Sequence, residues 1–244
     1  MVYQPRTYRD WVSSRGLVSF SVMEKETDLL ILAQRDLTEV ALAAARKCRA
    51  ELEGYISKHR RFLSALEPLP VAEDAPLLVR QMASAAEAAG VGPMAAVAGA
   101  IAEYVGKELL RYSDEVIVEN GGDIFLKIAE RRRVGLYAGT SPFTGKMGFD
   151  ILPEETPLGV CTSSGTVGHS LSFGRADAVI TFSPSTSLAD AAATAIANIV
   201  QTADDIPIAL RKAEQIPGLK GVVVIKDDAM GLWGQVRLVQ TGDE

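Results

Sequence analysis

Asp190, Thr194 and Asn198 recur at four-residue intervals in a stretch otherwise built of alanine, Ala189-Asp190-Ala191-Ala192-Ala193-Thr194-Ala195. On a helix that interval places all three on one face. A carboxylate and a hydroxyl on consecutive turns are oxygen donors of the kind taken by Mg²⁺ or Ca²⁺, with carbonyls, water or phosphate supplying the rest. The alanines between them let backbone or ligand come close. The same residues have a purely structural reading. With Ser187 as N-cap, Asp190 stands three residues on, an S-x-x-D variant of the capping box. Spacing by itself leaves both readings open.

Three other segments have residue types suited to a site. In Glu119-Asn120-Gly121-Gly122-Asp123 the two glycines permit positive φ and close backbone approach to a ligand, while Asn and Asp favour turns. It reads as a hairpin turn or as a ligand-contacting one. In Cys161-Thr162-Ser163-Ser164-Gly165-Thr166-Val167-Gly168-His169-Ser170, small hydroxyl residues and glycines follow a strand and can form an amide nest for phosphate. His169, one of two histidines, is a candidate general acid/base, with a structural role as its alternative. Glu103 emerges from the small-residue run Val91 to Ala102, as a site residue or merely an exposed one. Gly90, Gly92 and Ala95 match G-x-G-x-x-A, but a helical region precedes them, so the dinucleotide-binding reading fails. No phosphate loop G-x-x-x-x-G-K-[ST] and no G-x-S-x-G elbow occurs. Cys161 reads as a buried small hydrophobe, and Lys58-His59-Arg60-Arg61 as a solvated helix end.

The elements that must position these residues follow from hydrophobic periodicity. Leu17 to Ser21 and Leu29 to Ala33 read as strands around a polar turn at Glu24 to Thr27. Helical spacing runs from Leu37 to Tyr55, then from about Pro76 to Ala89, and again from Pro93, well placed for a first helical turn, to about Tyr112. Strands are predicted at Glu115 to Glu119, Ile124 to Ala129, Val134 to Ala138 after a polar turn Arg131-Arg132-Arg133, Leu158 to Thr162 and Ala178 to Phe182. A helix is expected from about Leu188 to Gln201 and another from Ala209 to Gln215. Strands at Val222 to Lys226 and Gln235 to Val239, separated by a glycine-marked turn, close the chain. Hairpins punctuated by helix pairs predict an α+β fold with a mainly antiparallel sheet, as a single domain over residues 1–244.

Composition bounds the function. The 244 residues are 48% hydrophobic and 23% charged, enough for a sizeable core. A net charge of -6 gives no global basic field for nucleic acid or an anionic membrane, so a phosphate must be gripped locally. Two distant cysteines make neither a disulfide framework nor a zinc cluster and fit a reducing compartment. The N-terminus lacks the apolar core of a secretory signal, and the run Val91 to Ala102 is too short to span a bilayer. The expectation is a cytoplasmic protein with no nucleic-acid and no membrane partner.

The order of the motifs resembles the ApbE-like superfamily, whose best-known members are FAD-dependent protein FMN transferases. Glu119 to Ile124 is similar to the family's N-x-G-G-D-I, Val134-Gly135-Leu136 with Ser141-Pro142 to its next strand, Thr162 to Gly165 to its T-S-G turn, and Ala189 to Ala195 to A-D-A-L-A-T-A. Gly221 to Ile225 with Gly231 to Gly234 resembles the closing strand pair. The resemblance covers roughly residues 90 to 240 and is closest to a short bacterial and archaeal branch. It implies a T-fold-like α+β domain with a flavin-nucleotide cleft, and it puts Asp190 and Thr194 on the metal positions, with Asp190 in the catalytic machinery beside His169. Asn120, Gly121, Gly122, Asp123, Thr162, Ser163, Ser164, Gly165 and Glu103 then fall to cofactor binding. The implied cofactors are Mg²⁺ and FAD or FMN; the implied partners are a small-molecule nucleotide, a protein acceptor and, by analogy, a second copy of the chain.

Two parts of the family pattern are missing. The D-P-x-T-G of the loop before the metal helix does not occur, and the lysine of K-G-x-A-x-D is replaced at Ala98, although an acid is kept at Glu103. The function expected is therefore binding of a flavin nucleotide or similar phosphorylated ligand with a divalent metal, with transfer or hydrolysis of FMN from FAD. The alternatives are a non-catalytic flavin or nucleotide binder and an enzyme for another phosphorylated or pterin-like small molecule.

Overall fold

The computed structural model describes residues 16–166 and 173–241. The chain opens with a hairpin, β1 (Val18–Glu24) and β2 (Thr27–Ala33), followed by helices α1 (Thr38–Lys58), α2 (Arg61–Ser64), α3 (Leu77–Ala89) and α4 (Val97–Leu109). Gly90 ends α3 in the left-handed region, at φ 78, as a glycine after a helix readily does. A 3-10 turn at Pro93–Ala96 leads into α4. Next come β3 (Val116–Asn120), β4 (Asp123–Lys127), β5 (Arg132–Gly135), β6 (Met147–Ile151), β7 (Leu158–Ser163) and β8 (Ala178–Ser183). Helix α5 (Thr186–Ala197), helix α6 (Ile206–Glu214) and strands β9 (Gly221–Lys226), β10 (Ala229–Gly234) and β11 (Leu238–Gln240) complete the order.

Eight strands form one sheet in the order β1-β2-β3-β4-β7-β8-β9-β10, and β11-β6-β5 form a second. Neighbouring strands pair antiparallel throughout both, so the α+β expectation holds. Side chains alternate between the faces of the large sheet, as the two-residue period of a strand requires. Leu29, Ile31, Val118, Phe125, Val222 and Val224 join the helices in one core. Leu32, Ile117, Leu126, Val160, Val223 and Ile225 join Val134, Phe149 and Ile151 of the small sheet in the other. Because both faces are covered, Val222-Val223-Val224-Ile225 reads as an unbroken apolar run rather than an alternating one. Among the described residues no single helix is long and apolar enough to cross a membrane.

The structure corrects several sequence expectations. Arg132 and Arg133 are not turn residues but lie in β5, because Arg132 is neutralised inside the protein by Glu115, at 2.6 and 2.7 Å. The glycine-marked region between β9 and Gln235 is strand β10, and the turn before it falls on Asp227, at φ 56. Gly231 is needed there since a Cβ would sit 2.3 Å from Ile206 of α6. Strand β6 has no counterpart in the periodicity reading. Helix α5 begins two residues before Leu188 and ends at Ala197 rather than Gln201.

Candidate functional site

Four elements meet around Asp190, and glycines let them do so. Helix α5 lies in contact with both β7 and α4. A Cβ at Gly159 of β7 would fall 2.5 Å from Thr186 Cα, and one at Gly99 of α4 would fall 2.5 Å from the Thr186 carbonyl oxygen and 2.8 Å from Asp190 Cβ. Any side chain at either position would push α5 away. Alanines at 189, 191, 192 and 193 are fully buried in the same contact. Gly99→Ala is accordingly expected to destabilise the protein by about 1–3 kcal/mol through overpacking, measured by urea unfolding. The sign is the informative part, since an exposed helical Gly→Ala change stabilises by roughly 1 kcal/mol; a stabilised variant would refute the close contact.

The start of α5 is held differently from the sequence expectation. Its N-cap is Ser185, whose Oγ accepts the Leu188 amide at 3.3 Å, and Ser187 is buried within the first turn. Asp190 is therefore no part of a capping box. The acid at this helix start is Glu103 of α4, which accepts the amides of Thr186 at 2.7 Å and Ser187 at 3.3 Å. Both are orphan donors of the first turn, and the carboxylate suits the positive end of the helix dipole. Its other oxygen receives the Lys107 ammonium at 2.5 Å. One oxygen of Glu103 thus joins α4 to α5, and the other is held by Lys107 of its own helix.

With the cap supplied elsewhere, Asp190 turns towards α4. Its Oδ2 accepts the Gly99 amide at 2.8 Å. The preceding carbonyl, Ala98, accepts Asn120 Nδ2 from β3 at 3.0 Å. Asn120 pairs with Asp123 across the β3–β4 hairpin, whose two turn residues Gly121 and Gly122 have φ 65 and 105. Positive φ at both central positions is what a two-residue hairpin turn demands. Glu119 closes this turn by accepting the Gly122 amide at 2.8 Å.

Asp123 points inward, 6% exposed, and its Oδ1 has no hydrogen-bond partner. Burial pushes its carboxyl well above the usual carboxylate range, the charges of Asp190 and Glu119 push the same way, and the Cys161 thiol and Thr162 amide pull back. Asp190 is partly exposed along its helix, yet dense surroundings desolvate its carboxyl and raise it to about 7 against the pull of the Gly99 and Ala98 amides. Thr194, one turn on, is partly buried on the same helix face.

The other predicted residues lie at the end of β7, in the segment after it and at the end of α5. Thr162 is the penultimate residue of β7, and its amide acts on the Asp123 carboxyl. Ser163 is buried. The Gly165 amide donates to Ala176 at 2.9 Å, and Ser164 Oγ accepts the Thr166 amide at 3.1 Å. Asn198 accepts the Phe173 amide at 2.9 Å, which fastens the loop before β8 to the end of α5. His169 lies outside the described residues. Sequence reasoning missed Ser185, Lys107 and Gly99; only Gly99, set among alanines, carries a local signal.

The donors gathered here are carboxylate, hydroxyl and carbonyl oxygens. Among the described residues no three His, Cys, Asp or Glu side chains converge as a metal-ligand group. Such a set fits a hard cation that fills its shell with hydroxyl, carbonyl, water and phosphate oxygens, and not zinc. A separate cavity of about 260 Å³ lies between the large sheet and the small one, against Leu158, Phe182, Pro184, Lys220, Val236 and Arg237. It shares no lining residue with the Asp190 cluster.

Residues 9–221 match the family model described as AbpE bacteria. A UPF0280 protein of Methanocaldococcus jannaschii is 46% identical over 227 residues, covering 90% of this chain and 92% of the relative. A UPF0280 protein of Methanosarcina acetivorans is 43% identical over 200 residues, covering 81% and 79%. Among solved structures, the flavinyl transferase ApbE of Pseudomonas stutzeri, apo form, superposes with a TM-score of 0.56 at 13% identity, over 91% of this chain and 94% of that one. The flavin transferase ApbE of Vibrio cholerae gives 0.57 at 13% identity, over 91% and 97%. At such identity the likeness is one of fold.

Proposed function

We propose, for a chain that belongs to the AbpE bacteria family, that the Asp190 cluster binds a flavin nucleotide, FAD or FMN, or a similar phosphorylated ligand together with a divalent cation. The observation that carries this reading is the orientation of Asp190. It is released from helix capping by Ser185 and Glu103 and held towards the Ala98-Gly99 backbone. Asp190 and Thr194 would hold the cation, Mg²⁺ being the expected one. When bound, such a cation neutralises pyrophosphate charge and makes the bond between the phosphates easier to break.

The chain's own residues account for the rest. Asn120 fixes the Ala98 carbonyl, and the Gly121-Gly122 turn admits a nucleotide without a Cβ in the way. Thr162, Ser163, Ser164 and Gly165 border the cluster at the end of β7, and His169 is proposed as the general acid/base, subject to hydrogen-bond reach of the reacting atom. The reaction read from this arrangement is transfer of FMN from FAD to a protein acceptor or its hydrolytic release. The large sheet ends in two edge strands, β1 and β10, which supports a homo-oligomer built by edge pairing.

The second reading is a flavin or nucleotide binder without catalysis. It is favoured by the missing D-P-x-T-G segment and by Ala98 in place of the family lysine. Incubation of the purified protein with FAD and Mg²⁺ separates the two. The enzyme reading expects AMP release or covalent flavin on an acceptor protein. Saturable FAD binding with unchanged nucleotide selects the binder, and no binding of either flavin overturns both.

A further inference from the structure

We infer that Asp123 is itself a ligand of the divalent cation, so that the site holds its metal between two carboxylates, Asp123 of β4 and Asp190 of α5. The inference rests on the reading of Asp190 and Thr194 as cation ligands and adds to it a residue that turn chemistry does not require. Asp123 stands after the two-residue turn, at the first position of β4, where the backbone is already paired with Asn120. The turn is stabilised without it. Glu119 accepts the Gly122 amide, and Asn120 Nδ2 donates to the Ala98 carbonyl.

What Asp123 does instead is unusual. Its Oδ1 is shut off from solvent and lacks a hydrogen-bond partner. Leaving a buried acceptor unpaired is destabilising, more so for a charged group. It also lies on a strand in contact with α5, so that the charge of a second carboxylate, Asp190, reaches it. Among the described residues, no lysine, arginine or histidine dominates the electrostatics of either side chain. Two like charges in a low-dielectric pocket repel strongly. A divalent cation resolves both problems together, giving the orphan oxygen a partner and bringing the net charge of the pair to zero. It also explains why the donors reach the pocket from separate elements, β4 and α5, which the Gly99 and Gly159 contacts hold in fixed relation.

The test is cation binding by the full chain at pH 8, read by calorimetry with Mg²⁺ and by electron paramagnetic resonance with Mn²⁺. Wild type, Asp123→Asn, Asp190→Asn and Thr194→Ala are compared. Asp123→Asn is isosteric and is expected to weaken binding at least about 10-fold, as loss of a direct ligand should exceed loss of an outer-shell partner. Without cation, its melting temperature should equal or exceed that of wild type, because a like charge is removed. Affinity within about 3-fold of wild type, roughly 0.7 kcal/mol, while Asp190→Asn loses binding, overturns the role of Asp123 and leaves the Asp190 reading intact. Binding of neither ion by wild type overturns both. Should Asp123→Asn fail to fold, infrared difference spectra of wild type on Mg²⁺ addition decide: two aspartate carboxylates perturbed supports the pair, and one overturns it.

Discussion

Asp190→Asn is expected to remove the response of the protein to Mg²⁺ and to flatten its stability against pH between about 4 and 7. The folded-state carboxyl is raised from 3.8 to about 7 by burial, with the Gly99 and Ala98 amides opposing. A folded-state acid with a raised pKa contributes stability in its protonated form. That contribution is complete below the unfolded value near 3.9 and disappears as pH climbs through about 7. Cation-free wild type should therefore lose on the order of a few kcal/mol over this interval, with Asp123 acting in the same direction. Asparagine keeps an oxygen for the Gly99 amide and carries no proton equilibrium, so the variant should be the more stable of the two at pH 8. Mg²⁺ competes with the proton for the same oxygen, so apparent affinity in wild type should rise from pH 6 to pH 8, with proton release on binding. Thermal melts across pH, with and without Mg²⁺, check each part. A variant that still shifts with Mg²⁺ would remove Asp190 from the metal site.

The largest loss of stability is expected from a residue outside the site. Glu115, just before β3, receives Arg132 of β5 on one oxygen at 2.6 and 2.7 Å, with side-chain exposures of 6% and 3%. This pair joins the large sheet to the start of the small one. Removing the carboxylate takes a charged partner from a buried guanidinium, so Glu115→Ala should cost about 3–5 kcal/mol in urea unfolding. The double variant Glu115→Leu with Arg132→Met should recover much of the loss, since well-packed apolar replacements of buried pairs are often neutral or better. A single-variant loss under about 1 kcal/mol would mean that water reaches the pair.

The same pair shows where sequence reading runs out. Arg131-Arg132-Arg133 has the composition of a surface turn, and the pairing with Glu115, just before β3, makes Arg132 an interior residue. Strand β6 was illegible for a related reason. Met147-Gly148-Phe149-Asp150-Ile151 is short, and Gly148 is required because a Cβ would crowd the Val134 carbonyl at 3.0 Å. Strand β10 hid behind Gly231 and Gly234, which signal turns locally but answer to contacts with α6 and with Lys220. By contrast, Asn120-Gly121-Gly122-Asp123 was readable as a hairpin turn, because positive φ at two successive residues is a local demand that glycine meets.

For the site, the chain alone determined that Asp190 and Thr194 share a helix face, since helical periodicity is local. It put the cap of that helix at Ser187, whereas the cap is Ser185. Glu103 from α4 and the Gly159 contact with Thr186 made the choice, and they thereby freed Asp190 from capping. Nor could spacing reveal that Asp123 stands against Asp190. Periodicity fixes a side chain's direction relative to its own element; what lies across from it depends on strand register and on how closely two helices and a sheet can approach.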